Sequence, residues 1–169
     1  MKFKTLRNPF QIFRIIRFVW KARRPSTVHD MPAVVDTFWL KSGYDALTFF
    51  GTILTHSQHD ADHMNSRFDE LKNHEMIHLK QAITTGDSWW GFYRLYLRYW
   101  LQGWRARKRY PNAGYRLNPF EMEAYEHMGD FSYIDRCKDG ATGWQRYARM
   151  SIEERIAFIG DRRYPGIRP

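Results

Sequence analysis

The stretch LKNHEMIHLKQA, residues 71–82, sets two histidines four positions apart, with a glutamate directly after the first. Side chains at that spacing share a face on an α-helix, where residues i and i+4 lie one above the other. His74 and His78 can then reach one ion, and zinc takes imidazole nitrogens at about 2.0–2.1 Å. Glu75 is offset from the pair, so its carboxylate can approach a water beside the ion and act as a general base. The alternatives are a solvated polar face or a buried, hydrogen-bonded histidine pair. The apolar neighbours Leu71, Ile77 and Leu79, and a predicted helix that follows a strand, favour the metal reading.

A site of this kind needs a third ligand. Cys137 is the sole cysteine, so the site must be built from histidines and carboxylates. No further histidine follows closely in HLKQAITTG, but NPFEMEAYEHM places Glu121, Glu123 and Glu126 roughly forty residues on. Asn118 followed by Pro119 predicts an N-cap and first helical turn there. Glu121 can be a ligand, or can close a capping box with Asn118, and Glu123 can be the ligand instead. HSQHDADH, with His56, His59, His63, Asp60 and Asp62, is a competing cluster; it reads as a polar connection at the rim of a cleft.

The remaining pattern predicts a mainly helical α+β domain. The β-branched and aromatic run PAVVDTFWLKSGYDALTFFGTILTH predicts short strands, the last at about Thr52 to Thr55. A helix is expected from Asn65 or Ser66 through the histidine motif to Gly86. An aromatic helix is expected over about Ser88–Lys108, packed chiefly as core, and a third over Asn118–Cys137. Ser151 and Glu154 are spaced as a capping box for a last helix. No repeat or linker divides the chain.

The two motifs together resemble the gluzincin metallopeptidases, in which a glutamate on a second helix completes a His-Glu-x-x-His site. In the minigluzincin-like branch the second motif reads Glu-x-x-Ala-Asp. EMEAY matches at Glu121 and Ala124, with Tyr125 where that branch has Asp. NHEMIHLKQ with FEMEAY is also similar to small zincin-like proteins in which tyrosine is usual at that place. The resemblance covers about half the chain. It implies one Zn2+ per chain held by His74, His78 and Glu121, Glu75 as catalytic base, and a polypeptide substrate. It also implies a zincin-like fold, with a small antiparallel or mixed sheet packed on the active-site helix. A substrate would pair along an edge strand, here Gly51, Thr52, Ile53, Leu54 and Thr55. The departure at Tyr125 passes the orientation of a ligand histidine to its hydroxyl, to Asn73 or to Gln81. Tyr125, His127 and Tyr133 are the candidate oxyanion donors.

Net charge is +9, so anionic partners enter the reading. Residues 1–24 form a basic amphipathic segment with eight Lys or Arg and no acid, set before a single domain over 25–169. Arg14 and Arg17 interrupt its apolar run, so neither a signal peptide nor a spanning helix is recognised, and a cytoplasmic location is expected. Phe10, Phe13, Ile16 and Trp20 fit either a helix packed on the domain or one lying on an anionic membrane surface. Nucleic acid is the weaker partner: KARR and RARKR interleave with aromatics, but no nucleic-acid motif accompanies them. The expected function is a small zinc-dependent peptidase. Its rival is a noncatalytic binding protein that keeps the metal as a clamp.

Overall fold

The computed structural model describes residues 22–36 and 44–160. Residues 1–21 of the basic segment, the Ser42–Gly43 break and the tail beyond Gly160 lie outside the described residues.

Three short strands, β1 (Ala33–Val35), β2 (Ala46–Phe49) and β3 (Thr52–Thr55), form a mixed sheet in the order β1-β3-β2. β2 and β3 are antiparallel and joined by Phe50 and Gly51, both at positive φ (48° and 84°). Two successive left-handed residues make a type I′ turn, whose twist matches that of the flanking strands. β1 runs parallel to β3, with Ala33 opposite Ile53. The strand expected at the sheet edge, Gly51–Thr55, is therefore the central one. Thr52, Ile53, Leu54 and Thr55 are all buried, and β2 takes the edge beside the helices.

Eight helices follow: α1 (Gln58–Ser66), α2 (Glu70–Thr84), α3 (Trp89–Trp104), α4 (Ala113–Arg116), α5 (Pro119–His127), α6 (Tyr133–Arg136), α7 (Trp144–Ala148) and α8 (Ile152–Ile159). The polar stretch read as a connection is helix α1. Ser57 caps it by accepting from the Asp60 amide, and only Ala61 and Met64 turn inward. The motif helix accordingly starts later than expected, where the Asp69 side chain accepts from the Lys72 amide at 2.8 Å. The third expected helix is also divided. α5 ends at His127, and a turn through Gly129 and Asp130 separates it from the single turn of α6. Ser151 and Glu154 form the expected capping box on α8.

α2 is buried nearly all round, from Lys72 to Leu79, which makes it the centre of the packing rather than a surface helix. Met76, Leu79 and Ala82 join Ile53, Met64, Phe92, Phe120 and Trp144 in the main core. Each fully buried side chain of this size contributes about 1.5–3 kcal/mol. A second cluster, Leu117, Met122, Tyr147 and Ile159, packs α4, α5, α7 and α8 together. Arg155 sits inside that end with its guanidinium donating to the carbonyls of Leu117, Tyr147 and Ala148. Buried Lys72 is likewise satisfied, by the Met31 carbonyl at 2.6 Å and Asp30 at 2.9 Å, and ties α2 to the segment entering β1.

Candidate metal centre

α5 is fastened to α2 at both ends, and this fixes where Glu121 lies. At one end the Asn73 amide donates to the carbonyls of His127, Met128 and Asp130, capping the end of α5. At the other, Gln81 donates to the Phe120 carbonyl at 2.9 Å. Asn118 caps the start of α5 through the Phe120 amide and also reaches the Tyr96 carbonyl of α3. Glu121 does not close a capping box; it points inward to the two histidines.

His74, His78 and Glu121 form a buried group whose ligand atoms all lie within 4.8 Å of one another, the geometry that could hold a metal ion. His74 Nε2 is 3.2 Å from Glu121 Oε2, and His78 Nε2 is 3.4 Å from Oε1. Glu121 Oε1 accepts from the Tyr96 hydroxyl at 2.7 Å, while buried Oε2 faces the His74 imidazole without a well-aligned hydrogen bond. An ionised oxygen left like that is costly, and an ion between it and the imidazoles would satisfy it. The residues present therefore fit a metal.

Glu75 stands outside this trio but lines one cavity with His78 and Glu121. Its Oε2 accepts from the Thr48 hydroxyl of β2 at 2.5 Å, and its carboxylate lines a cavity of about 270 Å³ beside the group. The cavity wall also includes Ala46 and Leu47 of β2, Phe92, Tyr93, Tyr96 and Trp100 of α3, and Tyr44 and Tyr115. The aromatic helix thus serves as core and as wall. Phe92 is buried in the core, and the phenols of Tyr93 and Tyr96 face the site.

Protonation follows from this burial. Burial alone would lower the pKa of His78, but the charge and contact of Glu121, with the charge of Glu75 and the bond to Gln81, push it up to about 9. Burial alone would raise that of Glu121, but the facing imidazoles, His78 foremost, hold it well below the usual carboxylate range. Burial, reinforced by the charge of Glu121, raises Tyr96 and Tyr115 well above 10, so both phenols keep their protons and remain donors.

Of the predicted neighbours, Gln81 contacts a ligand directly. Its Oε1 pairs with His78 Nδ1 at 2.8 Å. Tyr125 lays its ring against His74, centroids 4.5 Å apart, and pairs its hydroxyl with that of Tyr115. His74 Nδ1 has no hydrogen-bond partner. Asn73 holds α5 rather than a ligand. Glu123 is not brought to the group: Gln81 and Tyr133 donate to its two oxygens, each at 2.7 Å. His127 stacks on Tyr133 and approaches Glu126, and neither lines the cavity. His59 and His63, with Asp60 and Asp62, are exposed on α1, and His56 contacts the Tyr44 carbonyl. Among the described residues they form no converging ligand group.

Thr48, Tyr93, Tyr96 and Tyr115 were not foreseen in the site. A lone threonine in a strand carries no signal, and tyrosines in an all-round aromatic helix read as packing. No protein-family model matches this sequence, and no curated protein or solved structure matches it.

Proposed function

We propose that this chain is a zinc-dependent hydrolase of peptide bonds, with His74, His78 and Glu121 as the zinc ligands and Glu75 as the general base. The observation that supports it is the division of labour on α2. Two imidazoles face one buried carboxylate, while the intervening Glu75 faces the adjoining cavity, outside the group. A structural metal site has no need of a carboxylate there.

Zinc, when bound, supplies a Lewis acid that polarises a carbonyl and makes a neighbouring water easier to deprotonate. Glu75, steadied by Thr48, takes a proton from the water as its oxygen bonds to the scissile carbon. The same carboxyl then passes that proton to the nitrogen as the carbon–nitrogen bond breaks. The Tyr96 proton is already given to Glu121, so Tyr115, whose hydroxyl pairs with that of Tyr125, is the cavity phenol placed to donate to a carbonyl oxygen that gains negative charge. An extended peptide would pair with β2, the edge strand lining the cavity. The Tyr93 hydroxyl already bonds the Thr48 carbonyl and the Phe50 amide, each at 3.0 Å, so the usable edge is the part around Ala46 and Leu47.

The test is zinc content and cleavage of a peptide library by the wild type, Glu75→Gln and Glu121→Ala. One zinc per chain is expected in the wild type and in Glu75→Gln, with cleavage only in the former. Zinc should be lost or weakened in Glu121→Ala. Wild type that purifies without metal in chelator-free buffer and gains none on dialysis against zinc would refute the proposal.

A further inference from the structure

One face of α3 presents Trp90, Leu97, Leu101 and Trp104, which are 67%, 56%, 47% and 41% exposed. Their spacings of seven, four and three place them on one stripe of the helix, about 21 Å long at 1.5 Å per residue. Exposed large apolar side chains are common singly; four in line on one helix need a partner. The neighbouring face of α3 is employed, with Phe92 in the core and Tyr93, Tyr96 and Trp100 lining the cavity. Trp90 meets Phe50 edge-on and Trp104 stacks on Trp100, yet all four side chains stay exposed among the described residues.

The charges beside the stripe identify what covers it. Between residues 88 and 120 the sequence has seven basic residues and no acidic one. Arg94, Arg98 and Arg105 flank the stripe and are exposed, and Arg107, Lys108 and Arg109 continue from its C-terminal end. The Arg107 guanidinium lies 3.4 Å over the Trp104 ring. Arg109, 3.8 Å from Glu153, is the member of this set with an acidic neighbour among the described residues.

We infer that this face of α3 docks on an anionic phospholipid surface, with the two leucines and two tryptophans entering the headgroup boundary and the arginines pairing with phosphates. A helix with an apolar face rimmed by arginine and tryptophan suits that interface. The other occupants fit worse. A second copy would set this cationic face against its own kind. Residues 1–21 carry six Lys or Arg and no acid, so their sequence offers this cationic face no opposite charge. Nucleic acid supplies phosphates but leaves Leu97 and Leu101 uncovered. The inference does not depend on the hydrolase reading, because none of the four stripe residues lines the cavity.

The experiment is co-sedimentation of the full chain with phosphatidylcholine vesicles, with and without about 30 mol% phosphatidylserine. Binding at least about tenfold tighter to the anionic vesicles is expected, weakening as salt shortens the screening length. Leu97→Asp with Leu101→Asp should reduce it at least about tenfold without altering the far-UV circular dichroism. A second measurement introduces no charge. Brominated acyl chains should quench tryptophan fluorescence of the bound wild type, and Trp90→Phe with Trp104→Phe should abolish most of that quenching. The inference is overturned by wild type that ignores anionic vesicles, by a double aspartate variant that binds them as well as wild type, or by quenching that survives loss of both tryptophans. It is equally overturned if the double aspartate variant loses only self-association or DNA binding.

Discussion

Gln81 Oε1 accepts the Nδ1 proton of His78 at 2.8 Å, and that contact decides which nitrogen of His78 faces Glu121. The amide cannot be turned round. Its Nε2 donates to the Phe120 carbonyl and to Glu123 Oε2, both acceptors only, so the oxygen must face the ring. Nδ1 of His78 therefore keeps its proton in either charge state, and Nε2 is the nitrogen that faces Glu121 and becomes free for a metal once its own proton is lost. Tyr133 anchors the far end by donating to Glu123 Oε1. Half-buried Tyr133 and buried Glu123, Gln81 and His78 thus form a chain whose last link is a candidate metal ligand, the kind of support that tunes a metal site.

Gln81→Leu should lower zinc affinity by about 10–100-fold, because His78 loses the partner that sets its ring and tautomer. It should also cost about 1–3 kcal/mol of stability, since Glu123 Oε2 is left without its donor. Chelator competition and thermal denaturation read the two effects separately. A variant that binds zinc as tightly as wild type would show that the chain of bonds is only structural.

Thr48→Val removes the hydroxyl that holds Glu75 and keeps the shape of the side chain. Zinc content should stay at that of wild type, while the cleavage rate falls by about tenfold or more as the base loses its fixed position. KM should change little, because the contact is to the base and not to substrate. An unchanged kcat would remove Thr48 from the catalytic account.

What the sequence disclosed was what short-range periodicity encodes. His74, Glu75 and His78 lie within one helical turn, and Asn118–Pro119 marks the start of the helix that carries Glu121. Each motif is legible because it is local; that the two converge is only implied by the family resemblance. The order of the strands is not: β3 follows β2 directly, yet β1 returns to its other side, and nothing in GTILT distinguishes a central strand from an edge. Helix α1 was hidden because its outer face carries His59, Asp60, Asp62 and His63, and only Ala61 and Met64 report a buried side. Glu121 and Glu123 look equivalent in EMEAY. They separate only in three dimensions, where Gln81 and Tyr133 claim Glu123.

Gly103 lies where α3 crosses α4. A Cβ there would stand 2.4 Å from the Ala113 carbonyl oxygen, a backbone atom that cannot swing aside. In an open helix, glycine to alanine gains about 1 kcal/mol. Here the two helices must move apart, and Gly103→Ala should instead destabilise the protein by about 1–3 kcal/mol. Thermal denaturation decides by sign alone. A higher melting temperature would mean that the crossing is looser than these contacts indicate.

The pairing of His78 with Glu121 makes zinc binding a competition with a proton. The folded-state pKa of His78, about 9, lies above the unperturbed histidine value of about 6.5, while Glu121 is held low and stays ionised across this interval. In metal-free protein the stabilisation from protonated His78 is fully present below about pH 6.5 and is lost as pH rises through about 9. The melting temperature without zinc should therefore fall as pH is raised from 7 to 9.5. Zinc must displace that proton, so apparent affinity should rise up to about tenfold per pH unit below 9 and level off above it. Titration calorimetry at pH 7.5, in buffers of different ionisation enthalpy, should show close to one proton released per zinc bound. Zinc affinity independent of pH between 7 and 9 would mean that His78 is neutral before the metal arrives. The charge opposite Glu121 would then need another source.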